Sequence, residues 1–370
     1  MRAVIKGHIL FPAFDQDQGL VPALTPPLRR SHHTIAMPGK KTMMIDIYCH
    51  LIPPKLKDLM FAKQKTIREL QTNVCLYDLD ERFRFMDRYP DLIQVLTVPG
   101  ATPDDLAGPK GAVDLAKKIN DELAELVDRH PWRFAGAVAV LPTSNIDASL
   151  KEIDRAVNQL KLRGILLRTP INGKPVDRPE FFPLYQKMCE LNLPIWFHPH
   201  RDPKVPDYPD ETESKYLIWH TWGLMVESTY AMTRLVFSGV MEKYPKLKII
   251  IHHCGAMVPY FGERITNHYN QSEMRNKTNF TVGLTEMPVD YFRRFYTDTA
   301  LIGNTPALMC AHNFYGAEKM LFGSDSPFDA QMGDYGTKRT IQAIQQMDIP
   351  EAEKRMIFEG NARKLMRLPV

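Results

Sequence analysis

Two patterns of hydrophobic and polar positions alternate along most of this chain. Short apolar runs, such as 134–140 and 247–251, are separated by longer stretches in which apolar residues recur at helical spacing, such as 113–129 and 147–160. The apolar runs are nearly continuous, which is typical of strands that are covered on both faces. This order predicts repeated strand–helix units around a parallel sheet.

Eight strands are predicted from residue 44 onward. Eight strand–helix units in about 325 residues match the count of a (β/α)8 barrel. We therefore predict an α/β fold of the TIM-barrel type, with a doubly wound sheet as the alternative. The predicted strands are 44–47, 93–98, 134–140, 164–167, 194–197, 247–251, 295–298 and 320–322, and the helices include 113–129, 147–160, 181–191, 228–244 and 336–346.

The first 43 residues show neither pattern. They are rich in proline, with segments such as PALTPPLRRSHH and MPGKK, and carry no helical or strand period. We therefore divide the chain into an extended N-terminal arm, 1–43, and a barrel domain, 44–370. The arm is either a loose tail or a segment that lies across a partner subunit.

Composition excludes several classes of protein. The 47 Lys and Arg residues nearly balance the 43 Asp and Glu residues, and a net charge of +4 does not indicate nucleic-acid binding. The sequence has no apolar run long enough for a membrane span, and its first residues lack the apolar stretch of a secretory signal. Five scattered cysteines without a CxxC pair are typical of a reduced, cytoplasmic protein.

Polar residues follow the predicted strands at their carboxyl ends, where barrels of this type carry their chemistry. Imidazole nitrogens combined with a carboxylate are the ligands of Zn, Fe and Mn sites, so this placement predicts a metal centre. For any single histidine, a hydrogen-bonded core residue is the competing interpretation. Strand one ends in Tyr48, Cys49 and His50, strand five in His198, Pro199 and His200, strand six in His252 and His253, strand seven in Asp298, and strand eight in Asp325.

Spacing within each strand end selects the residues that share a face. Tyr48 and His50 are two residues apart and lie on one face, while Cys49 lies on the other and is expected to be a packed thiol. His198 and His200 share a face if the strand continues straight past Pro199.

Five segments along the chain carry a family resemblance: IDIYCHLIPP, RFAGAVAVLP, LPIWFHPH, LKIIIHHCGAMVPYFGERI and LFGSDSPF. With them the chain resembles the amidohydrolase-related, decarboxylase-type branch of the amidohydrolase superfamily, which includes aminocarboxymuconate semialdehyde and γ-resorcylate decarboxylases. The resemblance runs through about 44–367 and implies a (β/α)8 barrel with a divalent metal at its carboxyl end. It implies His50, His198 and Asp325 as metal ligands and His253 as the strand-six histidine that acts beside the metal.

Tyr48 departs from that pattern, because it stands where the family has the first histidine of a strand-one pair. A phenol coordinates well only as a phenolate, which iron favours more than zinc does. We therefore expect Fe and/or Mn, as divalent or redox-active ions, with Zn as the alternative. The altered site resembles that of dinuclear-iron hydroxylases of the superfamily, of the 2-aminoisobutyrate hydroxylase type. Donors sufficient for two metals are Tyr48, His50, His198, His200, His253 and Asp325.

Three functions follow from this metal site. The tyrosine favours an O2-dependent hydroxylase with a dinuclear Fe or Fe/Mn centre, which acts on a small carboxylate and takes electrons from partner proteins. The alternative is a nonoxidative, metal-dependent decarboxylase or hydrolase of a carboxylic acid, aromatic acids included, in which His253 and Asp325 handle protons. The third is a non-catalytic subunit that supports a related chain in a homo- or hetero-oligomer.

Five further residues are candidates for substrate binding. Arg168 and Arg201 follow strands four and five and could bind a carboxylate bidentately, with an internal salt bridge as the competing role. Trp196, His220 and Trp222 surround the strand-five loop and would line the pocket, with plain core packing as the competing role.

Overall fold

Two parallel sheets form the centre of the structure, a computed structural model that describes residues 42–63, 68–99, 102–274 and 281–369. The first sheet has the order β1-β2-β3 and the second the order β4-β5-β6-β7, with every neighbouring pair parallel. The strands are β1 Met44–His50, β2 Leu92–Thr97, β3 Phe134–Ala137, β4 Ile165–Thr169, β5 Ile195–Pro199, β6 Ile249–Ile251 and β7 Tyr296–Thr297.

Single bridges join the two sheets into a closed barrel. Ala139 pairs with Ile165 and so connects the first sheet to the second. The extended segment 320–326 forms the eighth strand, because Met320 pairs with Thr297 of β7 and Ser326 pairs with Cys49 of β1. A closed ring of eight parallel strands confirms the predicted (β/α)8 barrel and excludes the doubly wound sheet, which has open edges.

Helices follow the strands and cover the outside of the barrel. Among the described helices, none is long and apolar enough to cross a membrane. Their bounds are α1 Lys57–Lys63, α2 Arg68–Thr72, α3 Leu79–Met86, α4 Pro103–Arg129, α5 Ile146–Asn158, α6 Phe182–Leu191, α7 Ile218–Thr221, α8 Gly223–Phe237, α9 Val240–Lys243, α10 Val258–Met274, α11 Pro288–Phe292, α12 Thr305–Tyr315, α13 Asp334–Gln345, α14 Glu351–Arg355 and α15 Asn361–Met366, with a π-helix, Met356–Gly360, between the last two.

Two of the predicted helices have different bounds in the structure. The helix predicted at 113–129 is preceded by a short helical segment that begins at Pro103, where the Thr102 side chain accepts from the Asp105 amide; Gly108, with a φ of 64°, divides α4 into these two parts. The helix predicted at 228–244 is two helices, α8 and α9. Gly239 separates them with a φ of 78°, a conformation that no continuous α-helix contains.

Successive side chains along the strands point alternately into and out of the barrel, and they form two apolar layers. The inner layer fills the barrel with residues such as Ile47, Val95, Trp196 and Ile250. The outer layer lies between strands and helices. Because the interior is packed with apolar groups, polar side chains from the strands collect at the carboxyl end of the barrel. The predicted arm, 1–43, lies outside the described residues except for its last two positions.

Candidate functional site

Five of the six predicted metal ligands converge at the carboxyl end of the barrel. The Tyr48 hydroxyl lies 3.1 Å from His198 Nε2. His50 Nε2 lies 3.2 Å from Asp325 Oδ1, and His253 Nε2 lies 3.6 Å from Asp325 Oδ2. These side chains are supplied by the ends of β1, β5, β6 and the eighth strand.

His200 is the sixth predicted ligand, and the structure places it outside this group. β5 ends at Pro199, so the alternation of faces does not extend to His200. The His200 ring lies near Arg168 instead. Burial and the Arg168 charge lower the pKa of His200 to about 4, so its imidazole is neutral.

A register irregularity in β1 orients Tyr48 and His50. The Asp46 carboxylate accepts from the Tyr48 amide at 3.1 Å and from the Ser324 hydroxyl at 2.5 Å, which ties β1 to the eighth strand. Burial raises the pKa of Asp46 to about 7, although these hydrogen bonds favour its charged form. Cys49 points to the opposite face, where its thiol donates to the Val95 carbonyl at 3.3 Å, as expected for a packed thiol.

Hydrogen bonds fix which nitrogen of His198 is free to bind a ligand. Its Nδ1 lies 2.9 Å from the Pro199 carbonyl, which can only accept, so Nδ1 carries the proton. The Nε2 lone pair therefore faces the site, and the Tyr48 hydroxyl donates to it. Burial and the neighbouring histidines lower the pKa of His198 well below its ordinary value and keep the imidazole neutral.

His50 presents its Nε2 lone pair in the same way when it is neutral. The Thr97 hydroxyl donates to the Cys49 carbonyl at 2.9 Å, so it accepts from His50 Nδ1 at 3.1 Å. His50 Nε2 then faces the Asp325 carboxylate and has no hydrogen-bond partner. Two acceptors cannot hydrogen-bond to each other, so the pair needs a proton or a metal cation between them.

Asp325 carries the negative charge of the site. Burial raises its pKa, but the neighbouring His253 and His50 imidazoles outweigh this effect and hold the pKa well below its ordinary value. For His253 the balance is reversed. Burial lowers its pKa, and the Asp325 carboxylate more than compensates, so the net shift is upward.

A left-handed turn after β6 directs His253 toward Asp325. His253, Cys254, Gly255 and Ala256 have φ values of 56°, 58°, 74° and 54°, so four consecutive residues lie in the left-handed region. Only one of them is glycine, and non-glycine residues are strained there. Cys254 is buried in the outer apolar layer, so it is not in a position to bind the same ligand as His253.

A second histidine–carboxylate pair lies beneath the site. His252 Nδ1 lies 2.8 Å from Asp298 Oδ2, and both side chains are completely buried. The His252 ring stacks on Tyr48 with centroids 3.6 Å apart and planes 16° apart. The positions at the ends of strands six and seven indicated both residues, but no sequence signal predicted that they pair.

The five predicted substrate-binding residues have four different environments. Trp196 is completely buried inside the barrel, where its indole donates to the Ile47 carbonyl at 3.0 Å, so it belongs to the core and not to a pocket wall. Arg201 Nη2 lies 3.2 Å from Asp207 Oδ1, and this ion pair lies within the loop that follows β5. His220 and Trp222 are exposed on and beside α7.

Arg168 lines a small cavity that reaches His198. Its Nη2 lies 2.7 Å from Asp105 Oδ2 at the first turn of α4. The cavity has a volume of about 30 Å³. Three of its polar residues, Thr102, Thr143 and Asn172, were not predicted, because short polar residues in loops carry no pattern.

The donors of this site match a divalent cation in chemistry: the Nε2 atoms of two imidazoles and one carboxylate face each other. Within the described part of the chain, however, no three His, Cys, Asp or Glu side chains are placed as a complete metal-binding group. In this arrangement the Tyr48 hydroxyl donates to the Nε2 lone pair of His198.

Fold and site together define a class: a (β/α)8 barrel with imidazoles and a carboxylate converging at the carboxyl ends of its strands. Residues 45–368 match the family model described as amidohydrolase, and the chain belongs to that family. The resemblance given by the sequence motifs is thereby confirmed.

Relatives in this family are decarboxylases. The chain is 31% identical to the γ-resorcylate decarboxylase of Polaromonas sp., over 83% of this chain and 93% of that protein. It is 27% identical to the 2-amino-3-carboxymuconate-6-semialdehyde decarboxylase of Dictyostelium discoideum, over 89% of this chain and 92% of that protein. A solved dihydroxybenzoic acid decarboxylase from Polaromonas sp., with bound manganese and the inhibitor 2-nitroresorcinol, superposes with a TM-score of 0.71 at 27% identity, over 88% of this chain and 97% of that chain.

These relatives correct the favoured function. The prediction of an O2-dependent hydroxylase with a dinuclear iron centre is wrong, because the relatives named above are decarboxylases and manganese is bound in a similar structure. The Tyr48 substitution alone does not define an oxidative site. The electron-transfer partners and redox-active iron that were expected for the hydroxylase lose their basis with it.

Proposed function

We propose that this protein is a metal-dependent, nonoxidative decarboxylase of a small aromatic carboxylic acid. The observation that carries the proposal is the pair formed by the buried His50 Nε2 and the partly exposed Asp325 carboxylate, which face each other at 3.2 Å. Decarboxylase relatives that span most of the chain support the reaction, and their names describe small carboxylic acids as substrates.

His50, His198 and Asp325 would hold the cation, with the Tyr48 oxygen as the fourth donor. The Tyr48 oxygen and His198 Nε2 are 3.1 Å apart. This separation is close to the spacing of about 3 Å between neighbouring ligands that are each about 2.1 Å from one metal ion. Mn²⁺ is the ion that we propose, and it would act as a Lewis acid that polarises a substrate oxygen.

His253 is the residue that we assign to proton transfer. Loss of CO2 from an aromatic acid breaks the bond between the ring carbon and the carboxylate, and a proton must take the place of the carboxylate on that carbon. The Asp325 carboxylate raises the pKa of His253, which favours a proton on Nε2 at the mouth of the site. Asp325 also orients that proton.

In this proposal, the residues that line the cavity beside His198 orient the substrate. Its apolar residues, among them Val98, Leu141 and Leu166, exclude water from one side of a planar ring. Arg168 lines the same cavity and would bind an anionic substituent in place of Asp105. Because the cavity is small, the ring must enter mainly from the side of Asp325, whose carboxylate is partly exposed.

The test is a decarboxylation assay with a defined metal content. We expect protein reconstituted with Mn²⁺ to release CO2 from hydroxybenzoates such as 2,6-dihydroxybenzoate under anaerobic conditions. Chelation should abolish CO2 release. Asp325→Asn should lower kcat by at least about 100-fold, because it weakens both the cation site and the hold on His253.

A control variant separates the site from the rest of the fold. His312 also pairs with a carboxylate, Glu353, at 2.6 Å, but it lies on α12 outside the barrel mouth. His312→Gln should therefore retain full activity. CO2 release that persists in metal-free protein, or substrate loss that requires O2, would overturn the proposed function.

A further inference from the structure

His252 and Asp298 are buried next to the proposed cation site but have no part in the group that would hold the cation. The role that we infer for them rests on the proposed function, because it concerns the same site. Four residues are linked across the barrel mouth from β7 to β5, in the order Asp298, His252, Tyr48 and His198.

Asp298 is the fixed end of this chain of contacts. Its Oδ1 accepts from the Cys254 and Ala300 amides, each at 3.0 Å. Its Oδ2 accepts from the His253 amide at 3.2 Å and from His252 Nδ1 at 2.8 Å. A carboxylate with four donors from three backbone amides and one imidazole has no freedom to rotate, so it fixes the orientation of the His252 ring.

His252 in turn fixes the plane of Tyr48. The two rings are nearly parallel, with centroids 3.6 Å apart, and both side chains are almost fully buried. Gly323 closes the space on another side, because a Cβ there would lie 2.8 Å from Asp298 Cβ and 3.0 Å from Tyr48 Cβ. The stacked His252 ring therefore limits tilting of the Tyr48 ring, and the eighth strand lies directly against the Tyr48 Cβ.

We propose that His252 and Asp298 are positioning residues that hold the Tyr48 oxygen next to His198 Nε2 and thereby set how tightly the site binds its cation. His252 Nε2 is buried and has no hydrogen-bond partner. The part of His252 that acts on Tyr48 is therefore its ring face, while Nδ1 connects it to Asp298. This role predicts that His252 affects cation binding only through Tyr48.

A double-mutant cycle on Mn²⁺ affinity tests this dependence. Free Mn²⁺ is measured by electron paramagnetic resonance during titration of the full chain, so the readout does not require activity. We expect His252→Asn and Tyr48→Phe each to raise the Kd for Mn²⁺ by about 10-fold or more, as for other residues that orient metal ligands. The double variant should bind Mn²⁺ no more weakly than Tyr48→Phe alone.

Rescue by a conservative variant distinguishes positioning from a general loss of structure. His252→Phe retains a ring against Tyr48 and should recover most of the affinity that His252→Asn loses. His312→Asn is the matched control, since it disrupts the His312–Glu353 pair far from the site and should leave the Kd unchanged. Thermal unfolding of the metal-free variants identifies any that fails to fold, and Asp298→Asn, which preserves side-chain volume, then replaces it in the cycle.

The Mn²⁺ titrations distinguish failure of the proposed function from failure of the positioning role. If wild-type protein binds no Mn²⁺, the proposed function falls and the positioning role with it. If wild-type protein binds Mn²⁺ but His252→Asn binds it equally well, or lowers affinity as much in the Tyr48→Phe background as alone, only the positioning role is overturned.

Discussion

Tyr48 is the residue that distinguishes this site from the strand-one histidine pair of the family pattern. Burial raises the pKa of its hydroxyl well above the ordinary value, and the Asp325 and Asp298 carboxylates raise it further. In the cation-free protein the hydroxyl is therefore a neutral donor, and it occupies the lone pair that His198 would offer to a metal. The exchange of histidine for tyrosine changes a good neutral ligand into a weak one.

Restoring the histidine should strengthen cation binding. We expect Tyr48→His to lower the Kd for Mn²⁺ by about 10-fold or more, because a neutral imidazole coordinates without losing a proton and leaves His198 Nε2 free. Competition titration with a chelator of known affinity measures the change. Equal or weaker binding by Tyr48→His would show that the phenol oxygen is the better donor here.

At the level of single residues, position in the predicted strands indicated much of the site. His50, His198, His253 and Asp325 stand at strand ends, and the structure brings them together. His200 lies apart from this group, because the alternation rule does not extend beyond the end of β5 at Pro199. Trp196 is close to the end of the predicted strand, but it is the second residue of β5 and packs inside the barrel.

Among the elements, the strands follow the sequence pattern more closely than the helices do. All eight predicted strands correspond to strands or to the bridged segment 320–326. Helix bounds depend on single capping residues and glycines, which hydrophobic periodicity does not identify. Thr102 caps the short first part of α4, Gly108 divides that part from the rest of α4, and Gly239 divides α8 from α9.

Gly239 provides a test of that division. In Gly239→Ala the new Cβ would lie 2.4 Å from the Val282 carbonyl oxygen, in addition to the strain of a positive φ. We expect a loss of about 2–4 kcal/mol in the free energy of unfolding, measured by denaturant titration. Gly173 is a matched control, since it has a φ of 74° but nothing within 4 Å of an added Cβ.

Gly173→Ala should lose only about 1 kcal/mol, which is the conformational part of the effect. An equal loss in both variants would mean that the contact with Val282 contributes nothing to the break between the helices.

For the whole molecule, the proposed cation site spans the barrel. Its ligands come from β1 and the adjacent eighth strand, and from β5 elsewhere in the ring, and the three strands are far apart in sequence. A ligand that binds only the folded state raises its stability in proportion to the logarithm of ligand concentration above Kd. Mn²⁺ should therefore raise Tm by several degrees at concentrations about 100-fold above Kd.

His50→Gln should remove this dependence of Tm on Mn²⁺ and retain the fold, because glutamine can still accept or donate hydrogen bonds beside Thr97 and Asp325. Differential scanning calorimetry with and without Mn²⁺ measures both effects. A Tm that responds to Mn²⁺ equally in wild type and variant would place the cation elsewhere in the molecule.

Closure of the barrel is a property that the sequence pattern could only suggest. Eight strand–helix units matched the count, but the ring closes through single bridges, such as Ala139 with Ile165 and Ser326 with Cys49. Hydrophobic periodicity identifies strands and not their partners, so these contacts were not predictable. The reaction could not be predicted from the sequence pattern either, since a metal site that contains a tyrosine is compatible with several reactions.

The left-handed turn after β6 has a consequence for protein engineering. Cys254 and Ala256 hold positive φ angles that cost about 1–2 kcal/mol each in non-glycine residues. Glycine substitutions in this turn would relieve the backbone strain and so raise the thermal stability of the protein. Substitution of Cys254 or Ala256 by glycine leaves every proposed ligand in place. Substitution of His253 by glycine removes the imidazole that faces Asp325. The most stable version of this loop is thus an inactive one.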